Sequence, residues 1–279
     1  MGELLALTSA LCFGGAHFLN ALVARRGHHG VVVAAYAQAA GTVVSVIVAV
    51  AVSTAADPVS LAWGALSGLG TGVGVGCLYW SMNSSPLSVV VPVSDVAAVT
   101  LPVLIGLAVL GERPSATALA GAAVAVPAIA LVSRGKNGDG RTVMCKGIVL
   151  AAVAGVCFAV QYVAMARVPA SAGWWPVAVS RAASVAAILA LCAVLRPSMR
   201  LPAKGALVAG AGGVAGTAGI ILYLLASHTQ LLTVAVVLSA LYPAVPVVLG
   251  LVLLRERLSA VQIIGLTCAA AAIALIAAG

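Results

Sequence analysis

Charge is what this sequence has least of. Asp, Glu, Lys and Arg make up 7% of the 279 positions, as 6 acidic against 14 basic side chains. A soluble domain carries about 25%, and a water-soluble fold of this size has no interior large enough for a 63% hydrophobic composition. The mean hydropathy of +1.21 agrees. Soluble enzyme, disordered tail and disulfide scaffold are thereby excluded, and a polytopic membrane protein is expected. Aromatic residues are also few, at 4%, so small side chains must dominate the packing. No C-x-x-C or Cys/His spacing links the six cysteines, so no metal site is expected. Nor is there a Walker sequence, an H-E-x-x-H, a G-x-S-x-G or a pair of aspartates within the apolar runs. ATP hydrolysis and intramembrane catalysis therefore have no visible machinery. A non-enzymatic chain without a cofactor is expected.

What is present is a series of apolar runs between short polar breaks. They read as ten helices, at 4–24, 31–52, 61–82, 87–110, 116–132, 147–166, 174–195, 206–226, 231–254 and 260–278. The longest break, 133–146, is rich in charge and glycine and divides the chain into 1–132 and 147–279, five helices each. The net charge of +8 falls in these breaks, where it reports topology rather than nucleic-acid binding. On alternating sides, one face collects Arg25, Arg26, Arg134, Lys136, Arg141, Lys146, Arg196, Arg200, Lys204, Arg255 and Arg257. The other holds Arg113 and Arg167. The positive-inside rule places both termini outside.

An offset of 144 residues aligns PVLIGLAVLGERPSATALAG (102–121) with PVVLGLVLLRERLSAVQIIG (246–265), ten of the twenty positions being identical. The same offset pairs Tyr79 with Tyr223, Gly68 with Gly212 and Gly72 with Gly216; an offset of 145 pairs Cys12-Phe13 with Cys157-Phe158. A repeat of five helices is odd, so the second copy must enter the membrane in the opposite orientation. Such inverted repeats are a plan of secondary transporters, with the substrate near the midplane between the halves. Both copies carry a proline in the fourth helix and an L-x-E-R-x-S-A turn, at Leu110–Ala116 and Leu254–Ala260. The unit resembles the EamA repeat of the drug/metabolite transporter superfamily, and the resemblance covers the chain from Leu4 to Ala278. It implies a ten-helix exporter or exchanger of small metabolites, amino acids or drug-like molecules in the bacterial inner membrane. The partners then expected are a small-molecule substrate and the lipid bilayer, with no nucleic acid and a monomer as working unit.

Asp95 and Arg181 are the two charges well inside apolar runs. Each costs roughly 2.5–3.5 kcal/mol on insertion scales, so each should face protein or water. Their depths differ by about 6 Å from the helical rise. They read as a structural ion pair, as an Arg that snorkels outward, or as pathway groups: Arg181 for an anionic substrate group, Asp95 for an amine or a coupling proton. His17, Asn20, Gln38, Gln161 and Tyr162 need partners in lipid; they are interhelical hydrogen-bonding groups or lining of a central cavity. Tyr79 and Tyr223 read as interfacial belt or as a pair of gates. Pro102 and Pro246 predict kinks, and a moving hinge is the functional alternative. Gly64, Gly68, Gly72 and Gly76 form a ridge for close helix packing. Glu112-Arg113 and Glu256-Arg257 read as turn-fixing pairs, with Ser115 and Ser259 as caps. A lipid-linked-sugar flippase and a non-transporting membrane sensor or structural subunit are the alternative functions.

Overall fold

The computed structural model describes residues 1–24, 26–52, 57–81, 87–132, 145–253 and 260–278. Their regular structure is entirely helical. The first half supplies α1 (Gly2–Ala24), α2 (Gly30–Val52), α3 (Pro58–Ser81), α4 (Leu87–Ala108) and α5 (Ala116–Val132). The second supplies α6 (Cys145–Ala166), α7 (Trp175–Leu195), α8 (Ala203–Ser227), α9 (Leu232–Ser239), α10 (Ala244–Leu253) and α11 (Ala260–Ala277). Six of these, α1, α2, α3, α6, α7 and α8, are long and apolar enough to cross a bilayer. Large apolar side chains such as Leu11, Ile47, Val149 and Leu207 stand exposed on the outer surface. In water such a surface would aggregate; in lipid it is solvated. The chain is a multi-pass membrane protein. The expected linker 133–146 lies outside the described residues except at its end, where Cys145 and Lys146 already belong to α6.

Helix starts follow local chemistry. The Asp57 carboxylate accepts the Ser60 N–H at 2.9 Å and also the Ser60 hydroxyl, with Pro58 opening α3. Those two bonds hold the Asp57 carboxyl below the usual carboxylate range. Ser115 caps α5 as expected, accepting the Ala118 N–H at 3.0 Å. The ninth run behaves differently. It breaks into α9 and α10 across 240–243, ahead of Pro246, which sits in the first turn of α10. A proline there sacrifices no helical hydrogen bond, so Pro246 is not where the chain bends. Pro102 lies within the uninterrupted run of α4.

Packing repeats when the halves are exchanged. α1 lies against α8 as α6 lies against α3, α2 against α8 as α7 against α3, while α2–α7 and α5–α11 pair with their own counterparts. Glycine permits the closest of these approaches. A Cβ on Gly68 would overlap the Ser180 backbone, and one on Gly213 the Ala37 backbone. Gly74 meets the Phe158 ring as Gly219 meets the Phe13 ring. The packing equivalents in α3 and α8 are therefore 145 residues apart. The offset of 144 is one residue out of step there, so Gly68 and Gly212 are not equivalent in packing.

Candidate functional site

A cavity of about 100 Å³, space for several water-sized groups, lies between the halves. The first half contributes His17 and Asn20 from α1, Gln38 from α2, Thr71 from α3 and Asp95 from α4; the second contributes Gln161 and Tyr162 from α6, Arg181 from α7 and Tyr242 from the break. The rings of Phe13 and Phe158 complete an aromatic wall.

Arg181 is 6% exposed. Its Nη1 donates to Gln38 Oε1 at 2.8 Å and its Nη2 to the Gly216 carbonyl, leaving Nε without a partner. An offset of 143 relates the α2 and α7 contacts, Ala37 standing to Gly213 as Ser180 does to Gly68. The same offset relates Gln38 to Arg181. The hydrogen bond between them thus joins two equivalent positions at the pseudosymmetric α2–α7 contact, where one half has an amide and the other a guanidinium.

Asp95 is 2% exposed. Its Oδ1 accepts the Tyr242 hydroxyl at 2.7 Å, and its Oδ2 has no partner. Among the described residues Asp95 and Arg181 form no ion pair, and a buried guanidinium held by Gln38 does not snorkel. Both structural readings of these charges give way to two separately anchored groups facing one cavity. Asn20 Oδ1 is a third buried polar atom without a partner here. The His17 ring stacks on Tyr242, centroids 4.9 Å apart at 23°.

Other expected residues divide. Gln161 lines the cavity but its Oε1 already accepts the Thr71 hydroxyl at 2.8 Å, tying α6 to α3. Tyr162 presents to the cavity, with Tyr223 behind it. The two rings meet edge-on at 4.9 Å, and the Tyr223 hydroxyl donates to the Tyr162 carbonyl at 2.9 Å. Tyr223 is fully buried and does not line the cavity, so it is neither a belt residue nor a cavity wall. The Tyr79 side chain lies outside the described residues, as do Glu256, Arg257 and Ser259.

Glu112 corrects the turn-fixing expectation. Its carboxylate crosses to the other half and accepts the N–H groups of Leu232 and Thr233, at 2.6 and 3.1 Å, and the Thr233 hydroxyl at 2.7 Å. Residues that sequence reasoning missed are Tyr242, Thr71, Phe13 and Phe158. Two signals pointed to three of them: the Cys-Phe pair repeated at offset 145 to Phe13 and Phe158, and a Tyr-Pro step inside an otherwise apolar run to Tyr242; none pointed to Thr71.

The result is an acid and a guanidinium on opposite halves, each with an unused polar atom, within an aromatic and glycine-rich wall. Among the described residues no cluster of His, Cys, Asp or Glu could hold a metal ion. Opposite charges that are not spent on each other can bind complementary groups of an occupant.

Comparison with known proteins bears on what this cavity serves. No curated protein sequence matches. Twenty-five solved chains match in structure. One crystal structure aligns over 98% of this chain and 95% of its own length, with a TM-score of 0.76 at 19% identity, which shows a common fold. The EamA-like transporter family matches residues 1–134 and 145–278, one stretch for each half. With both halves matched, the chain belongs to the EamA-like transporter family, membrane transporters of the drug/metabolite superfamily.

Proposed function

We propose that this protein is a secondary transporter, an exporter or exchanger of a small molecule, working by alternating access between its halves. In this reading ten helical segments cross the membrane as two inverted five-helix repeats, with α9 and α10 together forming one crossing. The basic breaks face the cytoplasm, both termini lie outside, and the bilayer is the bacterial inner membrane. A single chain holds both repeats and serves as the working unit.

The observation that carries the reading is the cavity itself. Its polar groups come from both halves, and Asp95 Oδ2, Arg181 Nε and Asn20 Oδ1 are buried there without partners. Unsatisfied buried polar atoms cost about 1–3 kcal/mol each, so their persistence favours a site that an occupant completes. Arg181 holds an anionic group such as a carboxylate, and Asp95 holds an amine or a coupling proton. Exchange of packing partners between the halves supplies the symmetry for rocking about the site.

Counterflow in proteoliposomes tests this. Amino acids, organic anions and drug-like cations are screened for binding by thermal shift, and hits are loaded for exchange against labelled material. Labelled uptake driven by internal cargo is expected. Binding without counterflow would favour a sensor or structural subunit. If Asp95→Asn and Arg181→Ala leave rates and pH dependence unchanged, the site assignment is wrong.

A further inference from the structure

Glu112 lies outside the cavity, yet it holds the first turn of the element whose far end shapes one wall. Its own N–H donates to the Gly106 carbonyl at 3.0 Å, and Gly111 before it takes a φ of +66°, so the carboxylate is fixed to the last turn of α4. From there it caps α9. The residue before α9, Leu231, offers no side-chain cap, and Glu112 alone accepts both of the first amides. A carboxylate there also meets the positive end of the helix dipole.

α9 has eight residues, and all but Val234 are buried. It is thus a short rod about 12 Å long, running from Glu112 to the break that presents Tyr242. At the break the Tyr242 hydroxyl meets Asp95, which is again on α4. One segment of the first half therefore grips both ends of an element of the second.

We propose that Glu112 is a positioning residue for the cavity: by capping α9 across the halves it sets where Tyr242 meets Asp95. A carboxylate that leaves Leu232 and Thr233 frees the rod to slide or tilt, and the far end carries that movement into the cavity. The proposal rests on the cavity being the working site, but its test reads no transport, so the two can fail separately.

The test uses the full chain in lipid nanodiscs. Hydrogen exchange is followed at 240–245 and, for comparison, in α3 and α7. The infrared carboxyl band of Asp95 is assigned by its loss in Asp95→Asn. Glu112→Ala is expected to speed exchange at 240–245 by at least about tenfold, to shift the Asp95 band as Tyr242→Phe does, and to leave α3 and α7 unchanged. Thr233→Val, which keeps both amide bonds and loses the hydroxyl, should fall between wild type and Glu112→Ala. If Glu112→Ala does not fold, Glu112→Gln and Thr233→Val carry the same comparison. Faster exchange confined to 231–235 with an unmoved Asp95 band would overturn the proposal. So would a uniform rise in every helix, since that is the mark of general stabilisation.

Discussion

α4 and the α9–α10 pair occupy corresponding places in the two halves, and they are built differently. α4 runs unbroken from Leu87 to Ala108 and carries an acid at 95; its counterpart stops at Ser239, turns, and resumes at Ala244. At offset 144, Asp95 corresponds to Ser239, and the break proline, Pro243, to Val99. The charge is therefore private to one copy and the break to the other, and the Tyr242–Asp95 hydrogen bond joins them. Irregular backbone survives at membrane depth only where protein or a cavity surrounds it. Here Ala240 and Leu241 are buried, and the turn closes its own bonds, Ala240 N–H to Val236 O at 2.8 Å and Val245 N–H to Tyr242 O at 3.0 Å. The comparison teaches that duplication supplied a common frame, while the chemistry of the cavity comes from where the copies differ.

The largest effect is expected where the frame itself is polar. Arg181→Ala takes the donor from Gln38 Oε1 and the second donor from the Gly216 carbonyl, which keeps its helical bond; at about 1–3 kcal/mol for the stranded amide, a fall in melting temperature is expected, with counterflow reduced to background. An unchanged melting curve would mean that the α2–α7 contact does not depend on this pair. Gly213→Leu comes next. It forces α8 away from the Ala37 backbone at a cost of about 1–3 kcal/mol, and its counterpart Gly68→Leu should cost a similar amount. Unequal losses, read by thermal melting in detergent, would break the equivalence of the halves.

Tyr242→Phe probes the point where they differ. It should cost about 1–3 kcal/mol by leaving Asp95 Oδ1 unpaired, and a double-mutant cycle with Asp95→Ala, which removes the acceptor, should show a coupling of roughly 0.5 kcal/mol or more. Additive losses would mean that the hydrogen bond does not link α4 to the break. Pro243→Ala restores a backbone donor at the break, and slower hydrogen exchange at 240–242 is expected as the turn tightens toward helix. Smallest of all, Gly15→Ala has open space at its Cβ and should change stability by no more than about 0.5 kcal/mol. A large loss there would show that α1 moves closer to a neighbour than this structure has it.

Much of the frame was legible beforehand. Nine of the ten expected runs correspond to single helices, because an apolar stretch of bilayer length has few alternatives. Asp95 and Arg181 stood out because charge inside such a run is costly. Three features were not legible. The 144 offset, strongest around Glu112 and Glu256, is one residue out of step in α3 and α8, which only contacts such as Gly74 on Phe158 reveal. Tyr223 looked interfacial by its position near a helix end, yet it is sealed behind Tyr162. Glu112 looked local because its partners, Leu232 and Thr233, are far along the chain.

The physical reason is shared. In a bilayer both the lipid-facing and the protein-facing sides of a helix are apolar, so hydrophobic periodicity does not tell one face from the other. Composition and repeat alone determined that this chain enters the membrane as two related halves, since scarce charge and long apolar runs admit no other solvent. Which polar groups meet was decided by the tertiary structure. Glycine on α8 lets the backbones close until Arg181 reaches Gln38 and Gly216, and a turn at 240–243 aims Tyr242 at Asp95. Those encounters depend on rotation and depth, which a run of apolar residues does not encode.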